Sequence, residues 1–109
     1  SIPRPIANYA VSLPTTGSGI RNYPYSTDIS VNPLTYANMG VNPIGTESHN
    51  IGEIWCAVLW EMTWGIIQQT GNINSNLFDA SSTAGNSVAL KLVIATLRSR
   101  IYRCKKCHY

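Results

Sequence analysis

All six prolines of this 109-residue chain fall early, at Pro3, Pro5, Pro14, Pro24, Pro33 and Pro43. Each one fixes φ and removes a backbone donor, so no long helix can run through that stretch. Gly, Asn, Ser and Thr fill much of the space between them. Residues 1–47 are therefore expected to form a long irregular arm. A structureless stretch of that length is uncommon in a small independent domain, and it needs a neighbouring surface to lie on. Beyond residue 47 there is no proline, and long helices become possible.

Residues 50–69 carry the periodicity of a helix. Ile51, Ile54, Trp55, Val58, Leu59, Met62 and Ile66 recur at three- and four-residue intervals, which places them on one face. Asn50 is a candidate cap, Glu53 stands where a capping-box acid reaches back, and Gly71 is a candidate stop. Trp60, Trp64 and Ile67 make a second apolar stripe. A helix apolar nearly all round is normally buried in a larger core, so that stripe is expected to be covered. A polar connection with a possible turn at Leu77 and Phe78 leads to a second helix over 86–98. Its expected core face is Leu90, Val93, Ile94 and Leu97, with Asn86 as cap. The expected fold class is all-α: two antiparallel helices, about 50–69 and 86–98, behind the Pro-rich arm. Trp55, Leu59 and Met62 are expected to meet Leu90, Val93 and Leu97. The whole of 1–109 reads as one partial domain, with an arm over 1–47, a helical pair over 48–98 and a basic tail over 99–109.

Charged residues make up only 12% of the chain against 44% hydrophobic, roughly half the charged share of a typical soluble domain. Such a surface is either covered by more protein or is a neutral one built of Asn, Ser and Thr. The net charge of +3 hides an asymmetry. Before residue 91 the bases are Arg4 and Arg21, against Asp28, Glu47, Glu53, Glu61 and Asp79. Afterwards come Lys91, Arg98, Arg100, Arg103, Lys105 and Lys106 with no acid. A basic end of this kind is usually solvated, and no nucleic-acid partner is expected. No apolar run is long enough to span a bilayer, so no membrane partner is expected either, and no signal peptide is visible.

The cysteines are Cys56, Cys104 and Cys107, too few and too unevenly placed for a disulfide scaffold. Cys104-Lys105-Lys106-Cys107-His108 matches the short pattern for covalent c-type haem attachment. The same CxxC could be half of a zinc site or a redox pair. His49 follows Glu47 and Ser48 at the start of the first helix. It reads either as an exposed or capping histidine, or as a donor to an anion or polarised carbonyl supported by Glu47. Glu53 and Glu61 are not spaced as an acid/base pair. The sequence contains no HExxH, P-loop or nucleophile elbow, so no metal ligand is assigned.

Three segments carry a family resemblance: GIRNYPYSTDISVNPLTY (Gly19–Tyr36), SHNIGEIWCAVLWEMTW (Ser48–Trp64) and AGNSVALKLVIATL (Ala84–Leu97). In this order they resemble the later part of the peptidase domain of fungalysin-type metallopeptidases, over roughly Gly19–Leu97. The resemblance implies a piece of a thermolysin-like C-terminal lobe and, for the parent, secreted zinc-dependent hydrolysis of peptide bonds. The parent's partners would be peptide or protein substrates and the N-terminal part of the peptidase domain. The family's HExxH helix and its third glutamate ligand match no position here. Zinc is thus expected in the parent enzyme and none bound by this chain alone, which is expected to be inactive by itself.

His49 resembles the histidine that hydrogen-bonds the tetrahedral oxyanion, a catalytic role. Arg21 resembles the arginine that holds a substrate carbonyl, a substrate-binding role. After Leu97 the resemblance stops, and a one-base shift in a permissible coding string for Arg98–His108 reads like the family's continuation. A frameshifted or truncated gene is the expectation, which would make the CxxCH accidental. The competing readings are a small non-catalytic binding or structural module, with self-association through its apolar helix face, and a mono-haem electron carrier.

Overall fold

A computed structural model describes residues 2–99. Their regular structure is all helical: a one-turn 3-10 helix at Tyr36–Asn38, then α1 over Ser48–Thr70 and α2 over Gly85–Arg98. The arm is irregular, as the prolines require. It holds two isolated bridges, Arg4 with Tyr25 and Ile6 with Gly19, and no named strand occurs among the described residues. The chain divides into two compact units, Ser1–Met62 and Thr63–Tyr109, with α1 contributing to both.

In the first unit the arm lies on α1. Leu34, Ile54 and Ala57 form the buried cluster, with Tyr23, Met39 and Ile44 packed against it. The polar groups taken inside are satisfied locally. Buried Asn32 donates to the Pro24 carbonyl (3.1 Å) and accepts from the Leu34 N–H (3.1 Å), so it carries little of the penalty for an unbonded buried amide. Asp28 accepts from the Ser30 N–H at 2.9 Å and the Ser30 hydroxyl at 2.6 Å, closing the turn that leads to it. Trp60, from the second apolar stripe, is half-buried and stacks on Tyr25 with ring centroids 6.2 Å apart.

This arrangement corrects the expected packing face. Trp55 is 51% exposed and Leu59 36%. The arm covers Ile54 and Ala57 instead, because a helix apolar on nearly every side has no single preferred face and the tertiary cover decides. The capping is also corrected. The helix starts at Ser48, two residues earlier than expected. Glu47 therefore falls at the cap, accepting from the N–H groups of His49 (3.0 Å) and Asn50 (3.1 Å).

In the second unit α1 ends as its glycine dictates. Gly71 takes φ +75°, and its N–H donates to the Ile67 carbonyl at 2.8 Å. The connection doubles back: the Gly85 N–H donates to the Asn72 carbonyl at 3.1 Å. Asn86 does not cap α2, whose N-cap is Ala84 with no side-chain bond. Its amide accepts from the Asn74 N–H (3.0 Å) and donates to the Asn74 carbonyl (2.8 Å), pinning the connection instead. The helices pack through small residues. Gly85 and Ala89 are the buried positions of α2, and a Cβ at Gly85 would stand 2.5 Å from both Ile67 Cα and Thr70 Oγ1. The expected α2 face is corrected accordingly: Leu90, Ile94 and Leu97 are exposed and Val93 half-buried. Trp64 and Ile67 are half-buried.

Candidate functional site

The first turn of α1 presents His49, and the arm brings Asn22, the residue after Arg21, to the same turn. His49 is held from behind by Glu47, whose Oε1 lies 2.7 Å from Nδ1. The bond to the imidazole, with help from the His49 and Asn50 N–H groups and the Ser48 hydroxyl, lowers the Glu47 carboxyl to about 2 from its usual 4.5. Glu47 is thus a carboxylate across the working pH range and can only accept. Nδ1 must therefore carry its proton toward Glu47, and Nε2 is the nitrogen left for a ligand. With Nδ1–H committed, Nε2 donates only when the ring is an imidazolium.

Arg21 is half-buried. The residue after it, Asn22, donates from Nδ2 to Asn50 Oδ1 at 2.9 Å and to Glu53 Oε2 at 2.8 Å. The next N–H, of Tyr23, donates to Glu53 Oε1 at 2.9 Å. Arg21 and His49 are therefore the chain neighbours of two residues that share a hydrogen bond. The Arg21 charge is also felt at the Tyr25 phenol, which burial pushes well above its ordinary value, followed by the hydrogen bond to Cys56. Cys56 itself is exposed with a free thiol.

The Glu47 support of His49 follows from their spacing at a helix start. The Asn22–Glu53–Asn50 clamp has no such signal: its members are some thirty residues apart and joined only by the fold. Glu61 lines a separate recess of about 280 Å³ with Leu34, Ala57 and Val58, away from Glu53. No group of three His, Cys, Asp or Glu side chains gathers to hold a metal among the described residues. Glu47 and His49 alone do not make a zinc site. None of the described helices is long and apolar enough to cross a membrane. Cys104, Cys107 and His108, the haem-type pattern, and the basic tail lie outside the described residues.

An imidazole–carboxylate pair at a helix start beside an arginine-bearing arm, with no metal-ligand cluster among the described residues, is what part of a metallopeptidase domain would supply. The family model for fungalysin metallopeptidase (M36) matches residues 2–106, and the chain belongs to that family. The match extends past Leu97 and takes in most of the basic tail. Extracellular metalloproteinase 4 of Arthroderma otae is 42% identical over 95 residues, covering 80% of this chain and 14% of that protein. Extracellular metalloproteinase 2 of Arthroderma gypseum and its namesake in Trichophyton rubrum are each 39% identical over 80 residues, covering 70% of this chain and 12% of theirs. The chain thus spans a small part of the length of the curated relatives it matches.

Proposed function

We propose that this chain is the oxyanion- and carbonyl-binding part of a secreted, zinc-dependent metalloendopeptidase, with His49 as the oxyanion donor and Arg21 as the ligand of a substrate carbonyl. The observation that carries the reading is the 2.7 Å contact between His49 Nδ1 and Glu47. It orients the ring, balances its charge and leaves Nε2 for a developing negative oxygen. Family membership and relatives named as extracellular metalloproteinases support the reaction class and the location. A zinc donor set does not form from the described residues, so the metal's chemistry belongs to other parts of the protein.

The test uses a dipeptide phosphonate, whose tetrahedral anion has the shape and charge of the species to be held. The chain should bind it, and His49→Ala or Arg21→Ala should each weaken binding by about tenfold or more, in line with the cost of removing one oxyanion donor. No binding, or equal affinity in all three proteins, overturns the assignment.

A further inference from the structure

Glu53 is fully buried, at 0% exposure, on the helix that carries His49, and its carboxylate is bonded to the arm. A buried carboxyl is retained only where its oxygens are bonded. Here one oxygen takes the Tyr23 N–H at 2.9 Å and the other takes Asn22 Nδ2 at 2.8 Å. Both donors come from the two residues that follow Arg21. Asn22 uses the same amide nitrogen to reach Asn50 Oδ1 at 2.9 Å, and the Asn50 N–H is tied to Glu47, which holds His49.

We infer that Glu53 is the positioning residue of this site, fixing the Arg21 segment in one register on the first turns of α1 and so setting the separation of Arg21 from His49. The two bridges of the arm flank this point, at Gly19 and Tyr25, and Asn22 and Tyr23 between them turn to α1 instead. The Tyr23 N–H would otherwise be an orphan, and a slip of one residue would present Arg21 elsewhere. The bridges at Gly19 and Tyr25 tie the arm to itself, and the two-point attachment to Glu53 ties it to α1, where a single bond would act as a pivot. Ile54, next in sequence, is 1% exposed against Leu34, so the carboxyl is embedded beside the packed cluster and cannot swing away to water. Glu53 would touch no substrate and would act through Arg21. The inference rests on the functional reading above for its purpose, but its geometry can be tested separately.

The experiment is amide hydrogen exchange on the full chain, comparing wild type, Glu53→Leu and Glu53→Gln. In Glu53→Leu neither donor keeps its acceptor, and protection of the Tyr23 amide should fall about tenfold, the scale of one lost hydrogen bond, while amides of α1 beyond Ala57 keep theirs. In Glu53→Gln the side-chain oxygen still accepts from the Tyr23 N–H while the Asn22 amide turns to accept from the new N–H₂, so Tyr23 protection should stay close to wild type. Unchanged Tyr23 protection in Glu53→Leu overturns the inference. So does its loss together with the whole of α1, or a loss in Glu53→Gln as deep as in Glu53→Leu. Phosphonate affinity is then measured on the same proteins. A wild type that protects Tyr23 but binds no phosphonate sinks the functional reading and leaves the pin standing. Phosphonate binding unaffected by loss of Tyr23 protection shows that the pin does not position the site.

Discussion

At the scale of single residues, Glu47 does two jobs through two oxygens. Oε2 caps the helix by accepting the His49 and Asn50 N–H groups, and Oε1 meets the His49 ring. The imidazole bond is the largest reason its carboxyl is lowered to about 2 from 4.5. A depressed folded-state pKa means that the unfolded chain binds the proton more readily. The stabilisation is therefore complete above about 4.5 and is lost as pH falls toward 2. The Glu47 side chain is 49% exposed, so salt screens part of the effect. Urea unfolding followed against pH should show a loss of stability across that window in wild type and a flatter limb in Glu47→Gln. Identical limbs would show that the carboxylate is not bonded as described. Glu47 beside His49 is legible in the sequence because the two are local. Glu53 reads there as a capping acid, since nothing in a pattern of spacings announces a partner across an irregular arm.

At the scale of elements, the helices are legible in the sequence and their faces are not. Three- and four-residue apolar spacing and the glycine at 71 locate α1 within two residues at its start and one at its end. The spacing cannot say that Ile54 and Ala57 face inward while Trp55 stays half in solvent, because nearly every side of α1 is apolar. In α2 the large residues Leu90 and Leu97 draw the expectation, whereas the buried positions are Gly85 and Ala89. Close approach of backbones selects small residues, and periodicity weighted by hydrophobicity overlooks them. Two glycine substitutions separate these effects. A Cβ at Gly85 meets the backbone of Ile67, so Gly85→Ala should destabilise by about 1–3 kcal/mol through overpacking. Gly65, in the middle of α1, has open space around its missing Cβ. Gly65→Ala should stabilise by roughly 0.5–1 kcal/mol through helix propensity alone. Chemical denaturation measures both, and the same sign for the two would contradict the close contact at Gly85.

At the scale of the whole molecule, composition and exposure agree. With 12% charged residues there are few groups to keep water at the surface, and Trp55, Leu59, Leu77, Phe78, Leu90 and Leu97 are all exposed. Exposed apolar residues are ordinary singly, but many on so small a chain are what other protein commonly covers. If the chain works within a whole peptidase domain, as proposed above, the remainder of that domain is the occupant to test, since the chain matches only 14% of the length of extracellular metalloproteinase 4. The described residues hold the His49–Glu47 pair proposed above as an oxyanion donor, and no group of three metal-ligating side chains gathers among them. By themselves these 109 residues should show no chelator-sensitive peptide hydrolysis. Refolded with the complementary segment of that relative, the chain should co-elute with it in gel filtration, and the emission of Trp55 should shift to the blue as its exposed half is covered. A Trp55→Phe variant identifies which of the three tryptophans reports the change. Chelator-sensitive cleavage by the chain alone would overturn the division of labour proposed for the site. Separate elution with unchanged emission would show that the apolar surface is not made for that partner.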